Sequence, residues 1–353
     1  VRINFFLPRS INKAMGGYKV VFQYADFFAQ KGHDVHIYFC FPVDIPTRKF
    51  FLTYCRGIFQ HKTFRRITWF KFHGPVKLHF EILPFRVLHN IPGVLIATHW
   101  STANLVNKMQ GVSTNKFYFI QDFEDFDPAA KPNQVKDTWF LPLKKIVISK
   151  WLLNKAIAMG EKATIVSNFV NTDEFYPPKK FDNKLEVQVS MLWHNNPRKQ
   201  SALGMRVLHQ LQKIYPELKI AIFGVGIPDA VKADYKFENA SVEQLREEVY
   251  GRSAIYFMPS RSEGWGLTGL EAMACGAVVV SVDNGGINEY ATDKVNAIIV
   301  DNKSSEMLLG LQNCLSNRKL QSQLRENAFK TVTNFSLKES GEKFLEVLKN
   351  DAI

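Results

Sequence analysis

The stretch AIYFMPSRSEGWGLTGLEAMACGAVVVSV, residues 254–282, changes its pattern twice. It opens with an apolar run of strand length, AIYFMPS (254–260). Four residues rich in glycine follow, Glu263 to Gly266, and then an apolar helical segment, GLTGLEAMACG (266–276). The β-branched run AVVVSV (277–282) reads as a second strand. Strand, loop, helix and strand make a βαβ unit, whose strands lie parallel. The helix starts near Leu267 or Thr268, where the turn residues stop. One feature of the loop and helix is not explained by folding alone. Glu263 and Glu271 stand eight residues apart with Gly264, Gly266 and Gly269 between them. A surface helix has no need of glycine there, and a strand has no need of two acids.

The same alternation runs outward in both directions. VRINFFLP (1–8) is a strand, followed by a loop with MGGYK (15–19) and a helical pattern through Val20, Val21, Tyr24, Phe27 and Phe28. VHIYFCF (35–41), GVLIATH (93–99), KFYFIQD (116–122) and ATIVSNFV (163–170) read as further strands, with an amphipathic helix within 142–160. NTDEFYPPKKFDNK (171–184), polar and with a double proline, reads as a linker. After it VQVSMLW (187–193), LKIAIFGVG (218–226), AIYFMPS and AVVVSVDNGG alternate with helices. Two such series predict an α/β protein of two doubly wound, Rossmann-like domains facing a cleft, at 1–172 and 173–335. A last helix, 336–353, is expected to pack back on the N-terminal domain.

With 353 residues there is room for two domains, and 46% hydrophobic against 22% charged residues is the balance of a globular chain with a sizeable core. The four cysteines show no CxxC spacing, which speaks against a zinc site or a disulfide framework and fits a reducing cytoplasm. No apolar run is long enough to span a bilayer and no secretory leader is visible; Val1 implies a trimmed or processed start. The net charge of +12 is uneven. From Thr47 to Phe80 there is no acid, but eight Lys or Arg, interleaved with nine aromatics. Such a stretch suits an anionic membrane surface. A solvated basic face is the plainer alternative, and nucleic acid the third.

Ligands of open parallel sheets bind outside the carboxyl ends of the strands, and a helix N-terminus there presents N–H groups and a positive dipole to an anion. Gly264 and Gly266 let the backbone come close to a ligand. Thr268 adds a hydroxyl for a phosphate. Glu263 reaches one side of the ligand, and Glu271, one turn past Thr268 on the same helix face, reaches the other. Carboxylates are poor partners for phosphate and good acceptors for hydroxyls. Sugars on either side of a diphosphate satisfy the pattern, which describes a nucleotide sugar.

With these residues the chain resembles the retaining GT-B glycosyltransferases of family four. Glu263 and Glu271 match that family's E-x7-E signature in the setting EGWGL…LEAMACG. The resemblance implies that Glu263 contacts the donor sugar and Glu271 the ribose hydroxyls. It also implies that Gly16 and Gly17 in MGGYK meet the donor phosphate or the acceptor, and that PRK (197–199) binds the diphosphate through Lys199. FGVG and YKFENASVEQLREEVYGRSAIYFMPS resemble the stretch that leads to the nucleotide base, which makes Phe237 a donor contact; Trp265, between two site glycines, reads as a wall of the donor pocket. QDFEDFDP (121–128) is similar to a branch of bacterial polysaccharide enzymes that includes rhamnosyltransferases. In two places the chain departs from the family. The arginine usual six residues before the PRK lysine is replaced by Trp193, or by His194 with a one-residue shift, and Arg198 is the candidate to supply its charge. The histidine usual after the FIQD strand is replaced by Gln121 and Asp122, with His99 ending the preceding strand. DFD (125–127) resembles the D-x-D metal motif of the other glycosyltransferase fold, but it falls in a loop of a two-Rossmann chain, so no metal and no cofactor are expected.

The resulting expectation is a cytoplasmic, metal-independent, retaining glycosyltransferase. It would take a UDP, GDP or dTDP sugar to a glycan or lipid-linked glycan acceptor, with catalytic candidates Glu263, Lys199, Arg198, His99, Gln121 and Asp122. Gly16, Gly17, Phe237, Gly264, Trp265, Gly266, Leu267, Thr268 and Glu271 are the donor-binding candidates. Peripheral contact with anionic membrane at the inner face of the plasma membrane is expected through 47–80, and no nucleic acid. The alternatives are a non-catalytic nucleotide-sugar or carbohydrate-binding protein of the same fold, a nucleotide-sugar epimerase, and a phosphorylase; for the last, no cofactor lysine is evident late in the chain.

Overall fold

A computed structural model describes residues 1–8, 15–40, 67–82, 91–109, 115–124, 133–178 and 188–350, and the statements below concern these residues. The triplet DFD (125–127) and the basic stretch from 47 to 66 lie outside the described residues. The chain forms two compact units, 1–167 with 337–353, and 168–336.

The first unit contains β1 (Arg2–Pro8), α1 (Gly16–Gln30), β2 (Asp34–Cys40), β3 (Lys77–Ile82), β4 (Val94–Ala97), α2 (Trp100–Lys108), β5 (Lys116–Ile120), α3 (Gln134–Thr138), β6 (Lys144–Val147), α4 (Lys150–Ala158) and β7 (Ala163–Ile165). Its sheet has the order β3-β2-β1-β4-β5-β6-β7, and every pairing is parallel. The central strands are apolar on both faces because helices cover both; in β4 every residue is buried.

The second unit contains β8 (Gln188–Trp193), a single 3-10 turn at Pro197–Lys199, α5 (Ser201–Ile214), β9 (Lys219–Gly224), β10 (Tyr235–Glu238), β11 (Ile255–Met258), α6 (Leu267–Ala274), β12 (Val278–Val282), β13 (Ile298–Val300), α7 (Ser304–Ser316) and α8 (Arg318–Val332). The sheet order is β10-β9-β8-β11-β12-β13, again all parallel. Between β10 and β11 the chain makes a short α turn, Val242–Gln244, that widens into a π-helical turn at Leu245–Tyr250.

In both units the strand order reverses beside the first strand, between β1 and β4 and between β8 and β11. That reversal opens the crevice in which ligands of such sheets bind.

The chain leaves the first unit at Ser167, earlier than the expected boundary at 172, because much of the expected linker packs on the second unit. The Phe175 ring meets the Tyr250 ring at 6.1 Å, and Arg246 donates to the Glu174 carbonyl at 3.1 Å. After Ser336 the last helix, α9 (Leu337–Asn350), belongs to the first unit, as expected. Phe344 stands among Phe5, Tyr24, Phe28 and Phe119, with ring centroids 4.9–6.4 Å away.

The aromatics of the basic stretch that are described also pack. Trp69, Phe70 and Phe72 pack on Phe22 of α1, at 5.2, 5.4 and 5.3 Å, and Phe80 stacks on Phe39 at 5.1 Å. These four aromatics of the 47–80 stretch are half-buried and each has a packing partner in the first unit. Covering a ring against other rings adds packing and edge-to-face terms to the gain from removing its apolar area from water.

Candidate functional site

In the second unit the loops leaving the two switch-point strands are tied to each other. The turn Pro197–Lys199 follows β8, and Asn196 caps it by accepting from the Arg198 N–H. The loop Pro259–Gly266 follows β11. Arg261 N–H donates to the Arg198 carbonyl at 2.8 Å, and Lys199 Nζ donates to both carboxylate oxygens of Glu263, each at 2.7 Å. Glu263 is buried and Lys199 nearly so. Burial opposes ionisation of Glu263, but the Lys199 ammonium, a hydrogen bond from Ser260 and the Arg198 guanidinium outweigh it and hold the carboxyl below the ordinary range. The sequence assigned Lys199 to a diphosphate and Glu263 to a sugar; the structure joins them in one ion pair.

The start of α6 is built around two glycines. Gly266 has φ +87°, a left-handed conformation that costs a side-chain-bearing residue energy. A Cβ on Gly286 would stand 2.7 Å from the Glu263 carbonyl and the Trp265 backbone, so only glycine lets these loops meet. Tyr290 Oη donates to the Gly266 carbonyl at 2.6 Å and fixes the helix entry. Gly264 is buried in this loop, and Leu267 opens the helix.

Two donor-binding candidates are placed differently from expectation. Trp265 is 2% exposed, and its ring packs between Tyr290 at 5.9 Å and Phe335 at 5.5 Å. Glycines on either side suggested an open wall, but the ring turns inward to apolar partners. Thr268 Oγ1 accepts from the buried Tyr256 hydroxyl at 2.8 Å and faces the Met258 sulfur at 4.0 Å, so its hydroxyl serves the core side of α6. Glu271 accepts from the Tyr250 hydroxyl at 3.3 Å. Phe237 is half-buried on the edge strand β10.

In the first unit the carboxyl edge of the sheet gathers another group. Gly16 and Gly17 open α1, and Gln121, after β5, donates to the Gly17 carbonyl at 3.1 Å. His99 follows β4 and caps α2, its Nδ1 accepting from the Ser101 N–H at 3.3 Å. Glu124 was not singled out from the sequence. Its carboxylate accepts from the Trp100 N–H at 2.8 Å and lies 3.8 Å from His99 Nε2. An acid at a helix N-terminus is a familiar signal when the two are adjacent in sequence; here 24 residues separate them. Asp122 accepts from the next N–H, that of Phe123, at 2.8 Å. The six catalytic candidates thus form two groups on different units: Arg198, Lys199 and Glu263 on one, His99, Gln121 and Asp122 on the other.

Comparison with known proteins shows what this geometry is similar to. Residues 191–331, which hold the end of β8, the 197–199 turn and α6, match the family described as glycosyl transferases group 1. The matched stretch lies wholly within the second unit. Both sheets together make the GT-B fold. HepE from Anabaena, solved in complex with UDP, superimposes with a TM-score of 0.74 over 99% of this chain and 100% of that one, at 14% identity, a likeness of fold. Among curated proteins, the D-inositol 3-phosphate glycosyltransferase of Jonesia denitrificans is 27% identical over 39% of this chain and 32% of its own length. The lipopolysaccharide core biosynthesis mannosyltransferase LpcC of Rhizobium leguminosarum is 25% identical over 54% and 63%. The chain thus spans less than two thirds of either relative. No helix among the described residues is long and apolar enough to cross a membrane.

Proposed function

We propose that this glycosyltransferase group 1 protein moves a sugar, with retention and without a metal ion, from a UDP, GDP or dTDP sugar to a hydroxyl of a glycan or lipid-linked glycan in bacterial surface polysaccharide synthesis. The observation that carries the reading is the meeting of Lys199 and Glu263 at the carboxyl ends of β8 and β11, at the entry to α6. Lys199, Arg198 and the first N–H groups of α6 take the diphosphate. Glu271 accepts from ribose hydroxyls and Glu263 from a hydroxyl of the sugar. His99, Gln121 and Gly17 are assigned to the acceptor.

The bond from the anomeric carbon to phosphate oxygen breaks, and a bond to the acceptor oxygen forms on the same face. The acceptor's proton passes to the departing phosphate. The protein's part is to stabilise the charge that grows on the diphosphate. That both oxygens of Glu263 are held by Lys199 supports a route with no carboxylate nucleophile.

The test is a calorimetric and thermal-shift screen of UDP-, GDP- and dTDP-sugars, followed by turnover with EDTA present and by NMR of the product anomer. A donor at 100 times its Kd raises stability by about 2.7 kcal/mol. Absence of any nucleotide-sugar binding removes the reading; inversion at the anomeric carbon, or a strict need for Mg²⁺ or Mn²⁺, removes its mechanism. The cations of 47–77 are assigned to anionic membrane, each contributing about 1 kcal/mol when near the surface. Liposome co-sedimentation should show binding to anionic but not neutral vesicles, weakened by high salt and by Arg65→Glu/Arg66→Glu/Lys71→Glu. Equal pelleting with both vesicles leaves these residues a solvated face.

A further inference from the structure

We infer that His36 and His79 form a proton-sensitive latch in the first sheet: neutral, the two rings hold the edge strand β3 in place, and protonation releases it. The inference is independent of the donor site. β3 stands at the end of the sheet and pairs with β2, His36 opposite Lys77 and Tyr38 opposite His79. The register shifts just past that last pair, between Tyr38 and Cys40, so the ladder is regular only as far as His79. There the side chains take over. His36 Nδ1 and His79 Nε2 are 2.8 Å apart, and the His79 ring stacks on Tyr38 with centroids 4.3 Å apart.

The partners fix which nitrogen carries each proton. The Asp34 carboxylate only accepts, and its Oδ1 lies 3.2 Å from His36 Nε2, so that nitrogen holds the N–H. The Nδ1 of a neutral His36 is then bare, and it accepts from the Nε2–H of His79. Arg2 Nη2 stands 3.4 Å from the same Nδ1 while donating to the Tyr38 hydroxyl at 3.0 Å. A proton added to His36 would set its Nδ1–H against the His79 N–H and beside the Arg2 guanidinium. The bond that closes the latch and a protonated His36 therefore exclude each other.

The surrounding charges sharpen the response. Among the described residues, Arg2 faces the two rings from β1, Asp34 and the Tyr38 hydroxyl from β2, and Lys77 from β3. Burial first, then Arg2, makes His36 harder to protonate, and Asp34, itself held by Lys77 at 2.7 Å, opposes them only in part. His79 is resisted by burial, then by His36, Arg2 and Lys77. Both rings thus take up protons less readily in the folded sheet than in an unfolded chain. The stability they lend is complete above about pH 6.5 and falls as pH drops toward their folded values. The neighbouring anchor of the same segment is of another kind. Asp26 of α1 accepts from the backbone N–H groups of His73 and Gly74, each at 2.7 Å, and such donors keep their protons. Acid should therefore free β3 and uncover the hydrogen-bonding edge of β2, while residues 73 and 74 stay on α1.

Hydrogen exchange at single amides, corrected for the intrinsic effect of pH, tests this between about pH 7.5 and about pH 5.5. In the wild type, protection of the amides that join β2 to β3 should fall below about pH 6.5, approaching about tenfold per pH unit for each histidine. The amides of His73 and Gly74 should keep theirs. His79→Gln, which retains an N–H donor and loses one titration, should halve the fall on a logarithmic scale. His36→Phe/His79→Phe, with two rings that do not titrate, should show none. Independently of any variant, ¹⁵N NMR of histidine-labelled wild type near neutral pH should show His36 protonated at Nε2 and bare at Nδ1. A proton on His36 Nδ1, wild-type protection that does not change, or an equal fall in the double variant overturns the inference. Loss of protection at His73 and Gly74 in step with β3 overturns it as well, because the segment then opens as a whole and not at the latch.

Discussion

The two units share one strand order and put charge to opposite uses at the same topological place. At the switch point of the second sheet, Lys199 and Glu263 close a buried ion pair with two bonds of 2.7 Å. At that of the first sheet, His99 and Glu124 stand 3.8 Å apart, and Glu124 spends its shorter bond on the Trp100 N–H. The first arrangement binds two loops that lie far apart in sequence, so electrostatics shapes the site itself. The second caps a helix and sets an imidazole beside a carboxylate. A shared frame thus supports an ion-paired site on one unit and a helix-capping one on the other, the contrast on which the proposed division between diphosphate and acceptor hydroxyls rests.

The contrast can be broken at Lys199, where the largest effect is expected. Lys199→Ala strands a buried carboxylate, and breaking one partner of a buried pair costs about 3–5 kcal/mol. The pH dependence should invert as well. In the wild type the folded Glu263 carboxyl lies below its unfolded range, so its contribution is present above roughly pH 4.3 and is lost as pH falls through the folded value. In Lys199→Ala, burial acts with its main opponent removed and raises that carboxyl, so neutral pH becomes unfavourable and acid relieves it. Melting curves between about pH 7 and about pH 4 read the sign. Unchanged stability would mean that the pair contributes nothing.

A smaller effect is expected at Glu271→Gln, which keeps the shape and removes a charge-assisted bond worth about 1.5–3 kcal/mol. Calorimetry should show donor affinity down by about ten- to hundredfold with little change in melting temperature. Donor affinity equal to wild type would take Glu271 out of the site. Glu124→Gln should be the mildest, costing the first unit about 0.5–2 kcal/mol through the weakened α2 cap. Donor affinity should not move. If it falls with Glu124→Gln as much as with Glu271→Gln, the division of labour between the units is wrong.

Local patterns carried much of this into the sequence. Alternating apolar runs and helical periods mark both sheets, because strands covered on both faces need continuous apolar residues. The loop from Glu263 to Gly266 is legible too, since a left-handed helix entry favours glycine. Pairings across distance are not legible. Lys199 and Glu263 are 64 residues apart, and nothing in either segment names the other. Trp265 misleads because flanking glycines say where the backbone is tight, not which way a ring turns. The contacts of Trp69, Phe70 and Phe72 with Phe22 are not legible either, because basic residues beside aromatics do not name a packing partner.

The return of α9 bears on how the chain is made. The first unit is discontinuous, with residues 1–167 synthesised long before the helix at 337–350 that completes it. The second unit has all its residues once Ser336 is out of the ribosome. The usual order, in which the N-terminal domain matures first during synthesis, is therefore reversed in its last step. Until Phe344 arrives, Phe5, Tyr24, Phe28 and Phe119 lack the ring they share. A nascent chain halted before residue 337 presents a complete second unit and a first unit whose aromatic seam is still open.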